Sequence, residues 1–309
     1  MIKKKVIPPF VKRTVEDITK IRRTRLYIPG NNPAMIRNAP LFGADEVIFD
    51  LEDSVAVNQK DAARNLVRNA LRELNLSGTE ITVRINGFNT KFFYDDINAI
   101  VPVKPYAIVL PKAEDEKQMI EICDIIAILE EKNGLPIGLV KLMPIIESAR
   151  GVLRAEGITR ASDRIIGISP GGEDLTADLG AERTDEGNEL LYIRSRLVLA
   201  ARANGIQVYD TIYPNVRDLE GLYKQTQKIV QMGFDGKACI HPSQIEPIHK
   251  AFMPTAEQIE NAKRIVEAYK IAQRDGIGVI CVDNRMIDVP VVKRSERILK
   301  RAEAAKKRW

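Results

Sequence analysis

The sequence predicts an α/β protein, a closed (β/α)8 barrel of the TIM type with a C-terminal helical and hairpin extension. Two observations along the chain predict it. Short runs rich in β-branched residues recur eight times between residues 25 and 242, mostly apolar through the middle, and amphipathic stretches separate them. Eight alternations favour a closed barrel over an open doubly wound sheet, which has fewer strands and a glycine-rich phosphate turn after the first.

The expected strands are Arg25–Gly30, Glu46–Glu52, Ile81–Asn86, Ala107–Lys112, Val140–Glu147, Arg164–Ser169, Gln207–Tyr213 and Gly236–His241. Between them, helical spacing covers Pro33–Phe42, Gln59–Leu74, Phe92–Ile100, Glu114–Lys132, Gly151–Ala161, Asn188–Asn204 and Asp218–Met232. Residues 1–22 read as an N-terminal extension with Pro8-Pro9 and mixed charge, and 23–253 as the barrel. Residues 254–309 have no place in a barrel wall: a helix from Thr255 to Arg274, a hairpin-like Gly278–Ile287, and a basic helix from Val289. Such an appendage either caps the barrel or reaches a neighbouring subunit.

Composition removes several function classes. With 309 residues, 45% of them hydrophobic, the chain can bury a sizeable core. No run approaches the 18 or so apolar residues of a membrane span, and the basic start lacks the apolar stretch of a secretory signal, so a cytoplasmic protein is expected. Cys123, Cys239 and Cys281 are too few and too widely spaced for a disulfide framework or a paired-cysteine zinc site. The net charge of +5 sits in the tail. Residues 289–309 hold eight basic and two acidic side chains, leaving 39 basic and 40 acidic in the rest, so nucleic-acid binding is not expected.

A barrel places its chemistry on the loops after the strands. Here those ends supply Asn31 and Asn32, then Asp50, Glu52 and Asp53, then Arg84 with Asn86, then Lys112, Glu147, Glu173 with Asp174, Asp210 and His241. Charges gathered round one mouth are costly to hold unless a cation or an anionic ligand joins them. Glu147 and Asp174 end consecutive strands, a spacing that suits an octahedral oxygen site for Mg²⁺; equally, each could cap the next helix or pair with Arg150 or Arg164. Arg84 offers a bidentate fork for a substrate carboxylate, or an internal salt bridge to Asp50, Glu52 or Asp53. Lys112 could be a Schiff-base amine or the partner of a rim acid, and His241 a ligand contact or a satisfied barrel-end histidine. There is no Gly-x-Ser-x-Gly elbow, Walker A motif or dinucleotide fingerprint, and two histidines are too few for a histidine-rich metal site.

Nine motifs in order resemble one family: Arg25-Leu-Tyr-Ile-Pro-Gly-Asn-Asn-Pro-Ala-Met, Leu41-Phe-Gly-Ala-Asp, Phe49-Asp-Leu-Glu-Asp-Ser-Val, Val83-Arg-Ile-Asn, Leu110-Pro-Lys, Ile146-Glu-Ser-Ala, Gly172-Glu-Asp-Leu, Gly233-Phe-Asp-Gly-Lys and Met286-Ile-Asp-Val-Pro. It is the citrate lyase beta subunit family, within the Mg²⁺-dependent barrel lyases and aldolases that include malyl-CoA and citramalyl-CoA lyases. The resemblance implies that Glu147 and Asp174 are the Mg²⁺ ligands and that Arg84 binds the carboxylate or keto end of the cleaved acid. Asp50, Glu52, Lys112 and Arg25 are assigned with Arg84 to substrate binding. It implies further that Asp288 is an acid/base aspartate delivered from a neighbouring subunit's tail, so the active form is expected to be a homotrimer or hexamer.

The implied reaction is a retro-Claisen cleavage of a 3-hydroxy-acyl thioester, citryl-acyl carrier protein to oxaloacetate and acetyl-acyl carrier protein. Its partners would be the carrier protein (gamma) and alpha subunits, or a CoA thioester. Ile240-His-Pro-Ser-Gln is similar instead to the CoA-thioester lyases, and Gly171-Gly172 replaces the family's more usual Gly-Ala, so a stand-alone citramalyl-CoA or malyl-CoA lyase is the alternative. An aldolase acting on free 2-keto acids is a third reading. A non-catalytic assembly or phosphopantetheine-binding subunit is a fourth, which the intact Arg84, Glu147, Asp174 and Asp288 oppose. The basic C-terminal helix, with Lys306, Lys307 and Arg308, could dock an acidic carrier or simply be solvated.

Overall fold

A computed structural model describes residues 13–274, 278–283 and 285–306, divided into two compact units that meet at Ile248/His249. In the first unit eight parallel strands close into a barrel: β1 Thr24–Pro29, β2 Glu46–Asp50, β3 Glu80–Arg84, β4 Ala107–Leu110, β5 Lys141–Ile146, β6 Gly167–Pro170, β7 Gln207–Asp210 and β8 Gly236–Cys239, with β8 pairing back onto β1. Neighbouring strands are in sequence order all round, as a repeated β/α unit with short right-handed connections requires. The barrel interior is filled by Ile48, Ala107, Val109, Met143, Ile145, Ile166 and Tyr209, with Tyr27 and Tyr106 packed against them. Each isoleucine, valine or methionine among them, fully buried, stabilises the fold by roughly 1.5–3 kcal/mol.

The departures from expectation are local and have identifiable causes. The helix expected over Gly151–Ala161 is two pieces, Ala149–Leu153 and Ala155–Arg160, parted at Arg154, whose φ of −105° and ψ of 9° end the first piece. β6 starts at Gly167 rather than Arg164, since residues 164–166 pair with β5 only through a single bridge, Leu142 to Ile165, after the turn in which the Ile165 N–H donates to the Ser162 carbonyl; the Arg164 guanidinium there holds Glu130 at 2.9 and 3.0 Å and the Val140 carbonyl. An additional helix, Gly172–Leu179, follows β6, starting at a glycine pair that reads locally as a turn and ending on Gly180 at φ +63°. Within the N-terminal stretch, Thr14 caps helix Val15–Thr19 through a reciprocal bond with Asp17, and Tyr106 donates to Asp17 at 2.7 Å, tying that helix to the barrel. Residues 1–12 lie outside the described residues.

The second unit holds helix Ala256–Arg274, the antiparallel pair β9 Ile280–Val282 and β10 Arg285–Ile287, and helix Val289–Lys306. Ile265, Val266, Tyr269, Ile287 and Val292 form its own core. Among the described residues no helix is long and apolar enough to cross a membrane. Of the basic residues singled out at the C-terminus, Lys307 and Arg308 lie outside the described residues.

Candidate active site

The register of β2 against β3 sets Asp50 directly beside Arg84 at the C-terminal end of both strands. Asp50 accepts both forks of that guanidinium, Nε and Nη2, at 2.7 Å each, and also the backbone N–H groups of Glu52 at 2.9 Å and Ser54 at 3.1 Å. Although burial alone would raise its pKa, these donors and the Arg84 charge hold the Asp50 carboxyl below the usual range. The guanidinium carbon lies 4.9 Å from the centre of the Tyr27 ring. With two donors fixed, the remaining arm, Nη1, faces Glu52 at 2.9 Å and Asp53 at 3.3 Å. Asp50 is therefore an orienting residue and Arg84 the group presented to the mouth.

Glu52 is different in kind. Its Oε2 is near Arg84 but off the line of the N–H, and it is a buried oxygen with no hydrogen bond. Burial, reinforced by Asp53 and Asp50 against the pull of Arg84 and Lys112, pushes its carboxyl up to about 7. Lys60, itself buried, holds the loop by donating Nζ to the carbonyls of Leu51 at 2.8 Å and Glu52 at 2.7 Å.

Glu147, directly after β5, is pushed up to about 8 by burial first and then by Glu52 and Asp174, with Arg84 and one hydrogen bond acting the other way. That bond comes from the Lys112 backbone N–H, 3.0 Å from Oε2. Lys112 supplies it from a left-handed conformation at φ +56°, which costs a non-glycine residue about 1–2 kcal/mol. Gly171 faces the same carboxylate: a Cβ there would stand 2.5 Å from Glu147 Cγ and 2.7 Å from Oε1, so only glycine leaves the side chain its space. Asp174 sits exposed in the first turn of helix Gly172–Leu179.

A carboxylate held up by its like-charged neighbours, beside a buried oxygen without a hydrogen bond, fits a hard divalent cation. Among the described residues no group of three or more His, Cys, Asp or Glu is arranged round a common point, so a cation at Glu147 and Asp174 would keep several waters. The Lys112 ammonium, 3.7 Å from Glu52 Oε1, is held protonated by Glu52, Glu147 and Asp174, although its partial burial opposes this. That argues against a Schiff-base amine, whose pKa must fall.

The structure does not bring every expected residue to the mouth. Arg25, expected to bind substrate, is enclosed inside the barrel, 1% exposed, bonded to Glu46 at 2.6 and 3.0 Å and stacked 4.2 Å over the Tyr209 ring. It lies near the start of β1, where its register partner is Glu46, so it serves the barrel interior and not the rim. His241 is exposed and accepts the Ser243 N–H at Nδ1, capping the short turn Pro242–Gln244. Asn86 is spent on Asp96 and the Leu51 carbonyl. Asp288 belongs to the second unit, where its Oδ1 accepts the Val291 N–H at 3.2 Å at the start of helix Val289–Lys306. Lys60, absent from the residues the sequence points to, and Gly171, which the sequence marks only as a departure from the family pattern, help build the site.

Comparison with known proteins decides the relationship. A profile of the HpcH/HpaI aldolase/citrate lyase family matches residues 23–242, the span of the barrel. The chain belongs to that family. Within it, the chain is 45% identical to the citrate lyase subunit beta of Leuconostoc mesenteroides subsp. cremoris over 285 residues, covering 92% of this chain and 94% of the relative. A mitochondrial citramalyl-CoA lyase of Rattus norvegicus is 32% identical over 297 residues, covering 93% of this chain and 88% of the relative. In structure, the chain is similar to the Mycobacterium tuberculosis protein CitE crystallised with magnesium, acetoacetate and coenzyme A: TM-score 0.78, 33% identity, 93% of this chain and all of the other. As a member of this aldolase/citrate lyase family the protein is a lyase.

Proposed function

We propose that the protein is a Mg²⁺-dependent lyase that cleaves a 3-hydroxy-acyl thioester by retro-Claisen chemistry, converting citryl-acyl carrier protein to oxaloacetate and acetyl-acyl carrier protein. The observation that carries this reading is the unneutralised acid pair at the mouth, Glu147 pushed up to about 8 beside Asp174, facing an arginine already oriented by Asp50. The 45% identity to a citrate lyase subunit beta supports the acyl group, and the magnesium in CitE supports the metal.

Glu147 and Asp174 would hold the Mg²⁺, which when bound would supply Lewis-acid stabilisation of the substrate hydroxyl oxygen as it gives up its proton, before its electron pair becomes the new carbonyl and the carbon–carbon bond breaks. Arg84 pairs with the substrate carboxylate through Nη1, which exchanges its bond to the exposed Asp53 for the acid end while Asp50 keeps Nε and Nη2 in place. Lys112 and Glu52 bound the same mouth, Lys112 adding positive charge beside an anionic substrate. Asp288, delivered by residues 254–309 of a neighbouring subunit, takes the proton of the substrate hydroxyl as a base and returns it as an acid to the thioester enolate at carbon, giving the acetyl group. This requires a homo-oligomer, in our reading a homotrimer or hexamer, and in the cell the alpha and carrier subunits of a citrate lyase complex.

A second reading, a stand-alone citramalyl-CoA or malyl-CoA lyase, is favoured by Ile240-His-Pro-Ser-Gln, by the citramalyl-CoA lyase relative and by the coenzyme A in CitE. Oxaloacetate release from citryl-loaded carrier protein and from citryl-CoA, with Mg²⁺ and with EDTA, alongside citramalyl-CoA and malyl-CoA cleavage, separates the two. Mg²⁺-dependent preference for the carrier-bound citryl group is the expected result. Turnover of citramalyl-CoA or malyl-CoA alone would move the protein to the second reading, and no cleavage of any thioester would overturn both.

A further inference from the structure

Behind the rim, on β7 and β8, lies a charged cluster that meets neither the mouth nor solvent. Lys237 is fully buried, and its Nζ donates to Asp210 Oδ2 at 2.6 Å, to the Thr211 carbonyl at 2.9 Å and to Gln225 Oε1 at 2.8 Å. Arg194 takes Asp210 from the other side, at 2.8 and 3.1 Å, and donates its Nη1 to the Gly187 carbonyl at 2.9 Å. A buried cluster of two cations and one carboxylate is a poor way to gain stability, since well-packed apolar residues of similar volume do at least as well. Its use lies in what it fixes.

What it fixes is Thr211. The carbonyl of this residue is tied to Lys237, and its hydroxyl oxygen accepts the backbone N–H of Gly172 at 3.0 Å. Gly172 opens helix Gly172–Leu179, and the preceding Gly171 has no side chain with which to cap it. The first N–H groups of a helix need partners from outside it, and here one partner comes from the adjacent strand. The contact is close: a Cβ on Gly172 would stand 2.9 Å from Thr211 Oγ1 and 3.0 Å from Cγ2. Two residues further along the same turn is Asp174.

We propose that Lys237, Asp210, Arg194 and Thr211 are positioning residues that set the first turn of helix Gly172–Leu179, and with it Asp174, against Glu147. The proposal rests on the reading of Glu147 and Asp174 as the cation-holding pair, and it makes Thr211 the point through which the buried cluster acts. All four are buried.

The test is a titration of the purified full-length chain with Mn²⁺ as a magnetic probe, read by electron paramagnetic resonance without any thioester present. Thr211→Val removes the hydroxyl acceptor at almost constant volume, Thr211→Ser keeps it, and Lys237→Met removes the buried ammonium. Thr211→Val and Lys237→Met are expected to weaken Mn²⁺ binding by about tenfold or more, the size of effect that outer partners of metal ligands have. Thr211→Ser is expected to stay within about twofold of the parent. Thermal melts of each variant accompany the titration, and because Thr211→Val changes packing least, it decides the matter if Lys237→Met does not fold. Parent-like Mn²⁺ affinity in Thr211→Val overturns the positioning role while leaving the metal reading intact, provided Glu147→Gln loses binding. Equal binding by the parent and Glu147→Gln overturns the metal reading, and the positioning role with it.

Discussion

At the base of the barrel Arg22 and Lys20 grip Glu80, Arg25 grips Glu46 and Arg164 grips Glu130, each of these carboxylates buried and met by at least one cation. At the mouth Asp50, Glu52, Asp53, Glu147 and Asp174 share Arg84 and Lys112. The same kinds of side chain behave oppositely at the two ends. Burial would raise Glu46 in the barrel interior, yet Arg25 holds it below the usual carboxylate range; Glu147 at the mouth is pushed up to about 8 because burial and two other acids act on it. Closed pairs of this sort fix a structure, whereas an excess of acid left open is a place for a cation. Evidence of function in this fold is thus the charge that remains unmatched, not the number of charges.

Substitutions at the two ends should sharpen the contrast. Glu147→Gln is expected to lower kcat by about 10³-fold, to lose Mg²⁺ binding and to leave the melting temperature unchanged or raised, since it relieves repulsion among buried acids; steady-state kinetics and calorimetry check it. The mirror experiment is Arg25→Met at the base. It leaves Glu46 charged, buried and without its main partner, so unfolding in urea should show a loss of about 3–5 kcal/mol, while the folded protein binds Mg²⁺ as before. Arg84→Lys tests the boundary between the two behaviours. Losing the fork that Asp50 orients should cost about 10²-fold in kcat/KM at little cost in stability.

The smallest effect is on pH. Glu52 and Glu147 go from an ordinary value of 4.5 to about 7 and about 8 on folding, so between these limits the folded protein holds more protons than the unfolded one. The stability they contribute is fully present below 4.5 and is lost as pH rises through 7 and 8. Without metal, Tm should therefore be lower at pH 9 than at pH 6, and Mg²⁺ should raise it more at the higher pH. Glu147→Gln should flatten both trends, which scanning calorimetry reads directly.

Much of this was legible in the sequence. The eight strands show as β-branched runs, and the rim acids show because most runs end in a polar residue where a barrel strand should stop. Arg25 was misplaced for a physical reason: strand alternation gives its side of β1 to the interior, and a charge at an interior position reads as a rim residue until the register supplies Glu46 as its partner. The glycine pair before Glu173 and Asp174 reads as a turn into a helix, but why both must be glycine is not legible, since their necessity lies in Glu147 and Thr211, which are distant in sequence. The left-handed Lys112, whose N–H meets Glu147, has no local sequence signature at all. Asp288 was read through family resemblance, and its own unit shows it capping a helix.

The measurement that bears most directly on the acid-rich mouth is calorimetric titration of the metal-free protein with Mg²⁺ at pH 7, in two buffers of different ionisation enthalpy, for the parent and Glu147→Gln. One site per chain, with protons released into the buffer because Glu147 must ionise to bind, and no binding by Glu147→Gln, is the predicted result. Absence of Mg²⁺ binding, or binding that Glu147→Gln leaves unchanged, would contradict it.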